Sequence, residues 1–251
     1  MRKIELLVAS ILALACIVWA GGDPWKTKTP DQWTEKDIQQ ILQTSPWVRP
    51  NLQVAGARNS DTAPMTGGNI GIAGSKTDSS RASTGATPNK LGGAEKEADA
   101  LAAQASYTVF WWSSRTIRAA SMRRAVLKGT MTQEDADKAV ANQPDDYMIL
   151  VQATNMAIFQ QRGEDGFAKA AFLEPKRLKD KLYPTKVSFL KGSDGQTVTG
   201  AIFYFSKKSA SGEPTIASDE KEVDFYLEVG PSKISTYFDP RKMTDSKGED
   251  L

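Results

Sequence analysis

The cleanest alternation of apolar and polar positions lies late in the chain. In KEVDFYLEVG, Val223, Phe225, Leu227 and Val229 fall on one face, with Asp224 and Glu228 on the other. That is the pattern of a strand with one wet side. SKISTYF follows across Gly230-Pro231 as its expected partner. Upstream, TKVSFLKGSDGQTVTGAIFYF places two apolar-rich runs around Asp194-Gly195, which predicts a hairpin. YMILVQAT and SYTVFWW are unbroken apolar runs that predict buried strands. In the latter, Tyr107, Val109 and Trp111 face one way and Thr108, Phe110 and Trp112 the other, so both sides should be covered.

Helical spacing appears between these runs. From Thr116 to Lys128, Ala119, Met122 and Val126 form a stripe expected to pack inward, and Gly129 follows as a stop. Arg124 and Lys128 fall on the opposite side, Arg118 and Arg123 on two flanks. TQEDADKAVAN predicts a second helix with a Thr132/Asp135 capping pair, and NMAIFQQ a helical turn. The order is strand, helix, helix, strand, then a meander. It predicts an α+β domain over 95–251, with helices packed on one face of a mostly antiparallel sheet.

Two segments precede this domain. Within 21–47, WTEKDIQQILQTSPW predicts a short helix with Thr34 as N-cap and Asp37 three residues on. Ile38, Ile41 and Leu42 share one side, Pro46 ends the helix, and Trp25, Trp33 and Trp47 surround it. So short a helix is marginal alone, and its stripe must rest on something. Residues 48–94 are rich in Gly, Ser, Thr, Ala and Asn and predict a disordered linker. As a flexible coil of about 45 residues its reach is roughly 35–40 Å. A helix on such a tether marks Trp25, Trp33, Ile38, Ile41, Leu42 and Trp47 as candidate partner-binding residues, seated in a groove of another protein. The alternative is a dock onto the chain's own sheet.

The first twenty residues read as an address. Arg2 and Lys3 precede an apolar run from Leu6 to Ala20. The run is short for a membrane span and fits a signal peptide over 1–20, cleaved after Ala20. Lipid attachment at Cys16 is the rival and would supply the only membrane contact; an uncleaved anchor stands behind both. Each version exports the protein to the periplasm or beyond.

Composition narrows the chemistry. The 251 residues carry a formal charge of +2, from 32 basic against 30 acidic side chains. That balance gives no reason to expect a nucleic-acid partner, and export removes the chain from cytosolic DNA and RNA. Histidine is absent and Cys16 is the single cysteine. Ser-His and Cys-His nucleophile pairs, imidazole ligation and thiolate clusters are thereby excluded within one chain. No calcium-loop pattern occurs, and neither metal nor cofactor is expected.

Among carboxylates, Glu174, Asp219, Glu220 and Asp224 could pair as glycosidase acids do, although nothing in their spacing marks two of them. Ser206-Lys207-Lys208 suits a blunted strand end better than a Ser-Lys dyad. RGEDG (162–166) offers carboxylates that could hold a cation, but reads better as a polar turn. FDPRKM (238–243) reads as an aromatic tucked into the core with cations at an edge, or as a small anionic or partner-facing spot.

The Trp-flanked segment, the polar linker, WWSSRTIRAA, KGSDGQTV and the terminal FDPRKM together resemble a group of exported bacterial proteins without an established activity. The resemblance implies export and this layout, and it carries no site residue. The function expected is an exported cell-envelope binding or assembly module without catalytic activity, whose partner is an envelope protein. The alternatives are a carboxylate-dependent hydrolase of envelope polymers and a carrier with an apolar cavity lined by Trp112, Phe203 and Phe225.

Overall fold

A computed structural model describes residues 22–53 and 90–251, with side chains from residue 96 onward in the second stretch. The expected signal peptide, Cys16 and residues 54–89 of the expected linker lie outside the described residues. The chain begins with α1 (Pro24–Thr27), a 3-10 turn (Pro30–Gln32), α2 (Glu35–Thr44) and β1 (Val48–Leu52). It continues with α3 (Lys90–Gln104), β2 (Tyr107–Trp111), α4 (Arg115–Leu127), α5 (Gln133–Ala141), β3 (Asp146–Ala153) and α6 (Ala157–Phe167). Then come β4 (Ala171–Pro175), β5 (Lys186–Lys191), β6 (Val198–Ser206), β7 (Val223–Val229), β8 (Ser232–Phe238) and the small hairpin β9 (Thr244–Asp245) to β10 (Gly248–Glu249).

Two main sheets result, in the orders β1-β2-β3-β6-β5 and β4-β7-β8, with antiparallel pairing throughout. The fold is α+β. The register places Trp111, Ile149 and Phe203 in one row across β2, β3 and β6. That face meets the small sheet: Phe203 lies 6.0 Å from Phe225, and Trp111 lies 5.2 Å from Phe238, both edge to face. Packing of α6 on the same side comes through Phe159 and Phe167, which are stacked and both touch Phe189 of β5 edge-on. On the other face, Phe110, Trp112 and Leu150 look toward α2 and α4 across a small cleft.

Several expectations change here. The linker gives way at both ends: β1 pairs with β2, and Lys90–Gln104 is helical. β1 carries Pro50 and polar residues, so it forms because a partner strand satisfies it, at an edge where proline is tolerated. In α4 the buried positions are Thr116, Ile117, Arg118, Ala119 and Ala120, whereas Met122 and Val126 are half-buried. The inward stripe is therefore shifted from the one that spacing suggested. Trp111 is fully buried and Trp112 half-buried, so the paired tryptophans make no open stacking platform. RGEDG lies inside α6, which breaks at Gly163 in left-handed backbone (φ 70°). Phe238 is buried, as the core reading of FDPRKM has it.

Two buried phenols report on this core. Tyr107 donates to the carbonyl of Ala102 at 2.9 Å, and burial pushes both Tyr107 and Tyr147 up to about 12. The fold thus favours their protonated forms. The stability they contribute is complete below about pH 10, the ordinary tyrosine value, and is lost as pH climbs toward 12. In an alkaline titration, part of the phenolate absorbance should appear together with loss of circular dichroism between those values. Ionisation of all six tyrosines near pH 10 with the fold intact would refute this.

Candidate binding groove

The six residues nominated for partner binding are spent on the chain's own core. Trp25, Trp33, Ile38, Ile41 and Trp47 are buried, and Leu42 is half-buried against the same cluster. Trp25 meets Trp47 edge to face at 5.7 Å, and the Trp33 indole donates to the carbonyl of Pro24 at 3.2 Å. As a free helix offered to another protein this set is corrected: desolvating its stripe against α4 and β1 is available within one chain, without the entropy of association. The helix itself forms as its caps dictate, with Thr34 and Asp37 exchanging hydrogen bonds through side chain and backbone.

Three of the four nominated carboxylates are engaged structurally. Glu220 is buried and accepts from the backbone N–H groups of Arg177, Lys221 and Glu222. Asp219 pairs with Arg177 on the surface. Glu174 and Asp224 are cross-strand neighbours, yet Asp224 is held by Lys176 at 2.6 Å and by the Tyr226 hydroxyl at 3.2 Å. Ser206 Oγ donates to the carbonyl of Lys208 instead of facing an amine. Phe203 and Phe225 pack directly on one another, on the sheet face opposite Trp112, so the three do not line a common cavity. Among the described residues no group of three or more His, Cys, Asp or Glu could hold a metal ion, and no helix is long and apolar enough to cross a membrane.

What docking of the N-terminal segment creates is a groove. The 3-10 turn at Pro30, the outer sides of α4 and α5, and Lys247 of the β9–β10 turn enclose an open cleft of about 520 Å³. Its floor is apolar: Ala119 and Met122 from α4, Ala136 and Val140 from α5. These are i, i+3 and i, i+4 pairs, so the spacing that signals a helix's inward face supplies this floor instead.

The rim is cationic on one side. Arg115 donates to Asp245 at 3.1 and 3.2 Å, which together with nearby Asp250 raises its pKa above the ordinary guanidinium value. Arg123 donates to the Gln133 side chain at 3.1 Å. Lys247 makes no ion pair among the described residues. Asp31 and Asp137 face them.

Beneath the groove lie two residues that sequence reasoning missed. Asp250 is buried and accepts from Ser114 Oγ at 3.0 Å, Arg115 N at 2.6 Å and Thr116 N at 3.0 Å. It caps the start of α4 from more than a hundred residues away, and no local pattern announces that. Arg118, read as a flank, is buried; its Nη1 donates to the carbonyls of Ala139 at 3.1 Å and Asn142 at 2.7 Å, tying α4 to the end of α5. Burial holds its pKa below the ordinary value.

On the outer face of the small sheet, Phe172 stacks on Tyr226 at 4.6 Å and carries Lys181 over its ring at 4.4 Å. With its ring so occupied, this aromatic cluster offers no flat platform. No family model matches the chain, and neither does any curated protein or solved structure.

Proposed function

We propose that this chain is an exported cell-envelope binding or assembly module without catalytic activity, and that its partner is an envelope protein. The observation that supports the reading is the groove between α4 and α5. It combines an apolar floor with a polar rim, while three of the four nominated carboxylates, Asp219, Glu220 and Asp224, are tied into turns and ion pairs. Concave apolar surfaces with a few convergent polar groups are where proteins take ligands. The occupant is a short partner segment whose apolar side chains rest on the half-buried Met122 and Val140. A carboxylate beside them faces Lys247 and Arg123.

The test is a photo-crosslinking residue at Val140, compared with one at the exposed Lys138, in bacteria that export the protein. The expected result is one dominant adduct from Val140, containing an envelope protein, that is lost when Lys247→Glu is added. Equal labelling from both positions, or an adduct with a cytosolic protein only, would sink the proposal.

A further inference from the structure

A second groove opens on the other flank of the N-terminal segment. It runs between Lys26, the end of α2, the edge strand β1 and the turn after β8, with a volume of about 720 Å³. Four cations line it, Lys26, Arg49, Arg241 and Lys242, against two acids, Asp23 and Asp239, a balance of 4 − 2 = +2. Both acids are already taken by these cations. Asp23 faces Lys26 at 3.5 Å; Asp239 accepts from Arg241 through both oxygens at 3.0 Å and has Lys242 at 3.7 Å.

Arg49 is fixed in place without a carboxylate partner among the described residues. Its Nε donates to the carbonyl of Tyr237 at 2.6 Å and its Nη1 to those of Pro46 at 3.0 Å and Val48 at 2.8 Å. Its guanidinium carbon lies 4.7 Å from the centre of the Phe238 ring. Burial disfavours this charge and lowers its pKa from the ordinary value, a cost that an anion in the groove would relieve.

The lining also discriminates between kinds of anion. Its carbonyls at Pro46, Val48 and Tyr237 already accept from Arg49 and its carboxylates are paired, so the side-chain acceptors left are few, those of Gln43, Thr44 and Ser45. A peptide brings N–H groups that need acceptors, whereas a phosphate chain brings acceptors only. Guanidinium and ammonium groups suit phosphate oxygens, and the volume exceeds what a single phosphate fills. We infer that this groove binds an oligo-anion bearing several linked phosphates. The inference stands apart from the α4–α5 groove.

The experiment is calorimetric titration of the full chain with sodium tripolyphosphate at low ionic strength. Saturable binding is expected, weakening as salt is raised. Lys26→Gln/Lys242→Gln should lower affinity about tenfold with an unchanged melting temperature, since both side chains are exposed. Lys247→Gln in the other groove should bind as wild type.

Retention on vesicles containing cardiolipin, whose two phosphates are linked through glycerol, but not on phosphatidylcholine vesicles, lost in the double variant, would assign the phosphates to lipid headgroups. Binding to tripolyphosphate without vesicle retention would assign them to a soluble chain. No saturable heat, a double variant that binds as wild type, or tighter binding of an oligoglutamate peptide would each overturn the inference.

Discussion

Deleting residues 22–47 should leave a chain without a cooperative unfolding transition. The segment contributes Trp25, Trp33, Ile38, Ile41 and Trp47, all buried in the common core. At about 1.5–3 kcal/mol for each large apolar side chain, their burial is worth on the order of 10 kcal/mol. A domain of this kind has about 5–15 kcal/mol in total, so the loss consumes most or all of it. Removal also uncovers one flank of α4 and the edge of β1, which the segment shields through α2. Calorimetry of the truncated chain decides the matter. A sharp transition within a few degrees of the full-length value would mean that the segment is an appendage after all, and would return its tryptophans to the role of an outward-facing helix.

The second large effect belongs to one carboxylate. Asp250→Ala should cost about 3 kcal/mol, because it leaves the first N–H groups of α4 and the Ser114 hydroxyl without their acceptor in a buried place. Asp250→Asn should be nearly as harmful. One of its two tips becomes an N–H donor, and both carboxylate oxygens now accept from backbone or hydroxyl donors. Chemical denaturation of both variants tests this. A near-neutral Asn substitution would show that only shape matters at this position, and a near-neutral Ala substitution would remove the cap from the account of stability.

Elements legible in the sequence are those whose causes are local. The capping pair Thr34/Asp37 and the stripe Ile38–Ile41 predict α2, and the structure has it at Glu35–Thr44. Asp194-Gly195 predicts the β5–β6 hairpin; Asp194 accepts from the backbone N–H groups of Gln196 and Thr197, and Gly195 takes the left-handed turn (φ 69°). The alternation over Val223–Val229 predicts β7 and its partner β8.

What stayed hidden depends on distant partners. β1 and β4 are only five residues each, too brief for a period to declare itself, and they become strands because β2 and β7 present open hydrogen-bonding edges. Arg118 looks like any helical arginine until α5 brings two carbonyls to it. The candidate groove was half legible: Ala119 and Met122 were visible as helical spacing, but spacing alone cannot separate the floor of a cleft from a wall packed against a sheet.

One contact also sets a timetable. The Trp47 indole donates to the carbonyl of Asp250 at 2.6 Å across 203 residues of chain. Closing so long a loop is entropically expensive and comes late relative to hairpins such as β5–β6, whose partners are neighbours in sequence. The Trp47 indole therefore lacks this acceptor until nearly the whole polypeptide has emerged, although α2 can rest on α4 well before then. During that interval the chain is most exposed to proteases and to self-association, and a folding helper would find its natural substrate there.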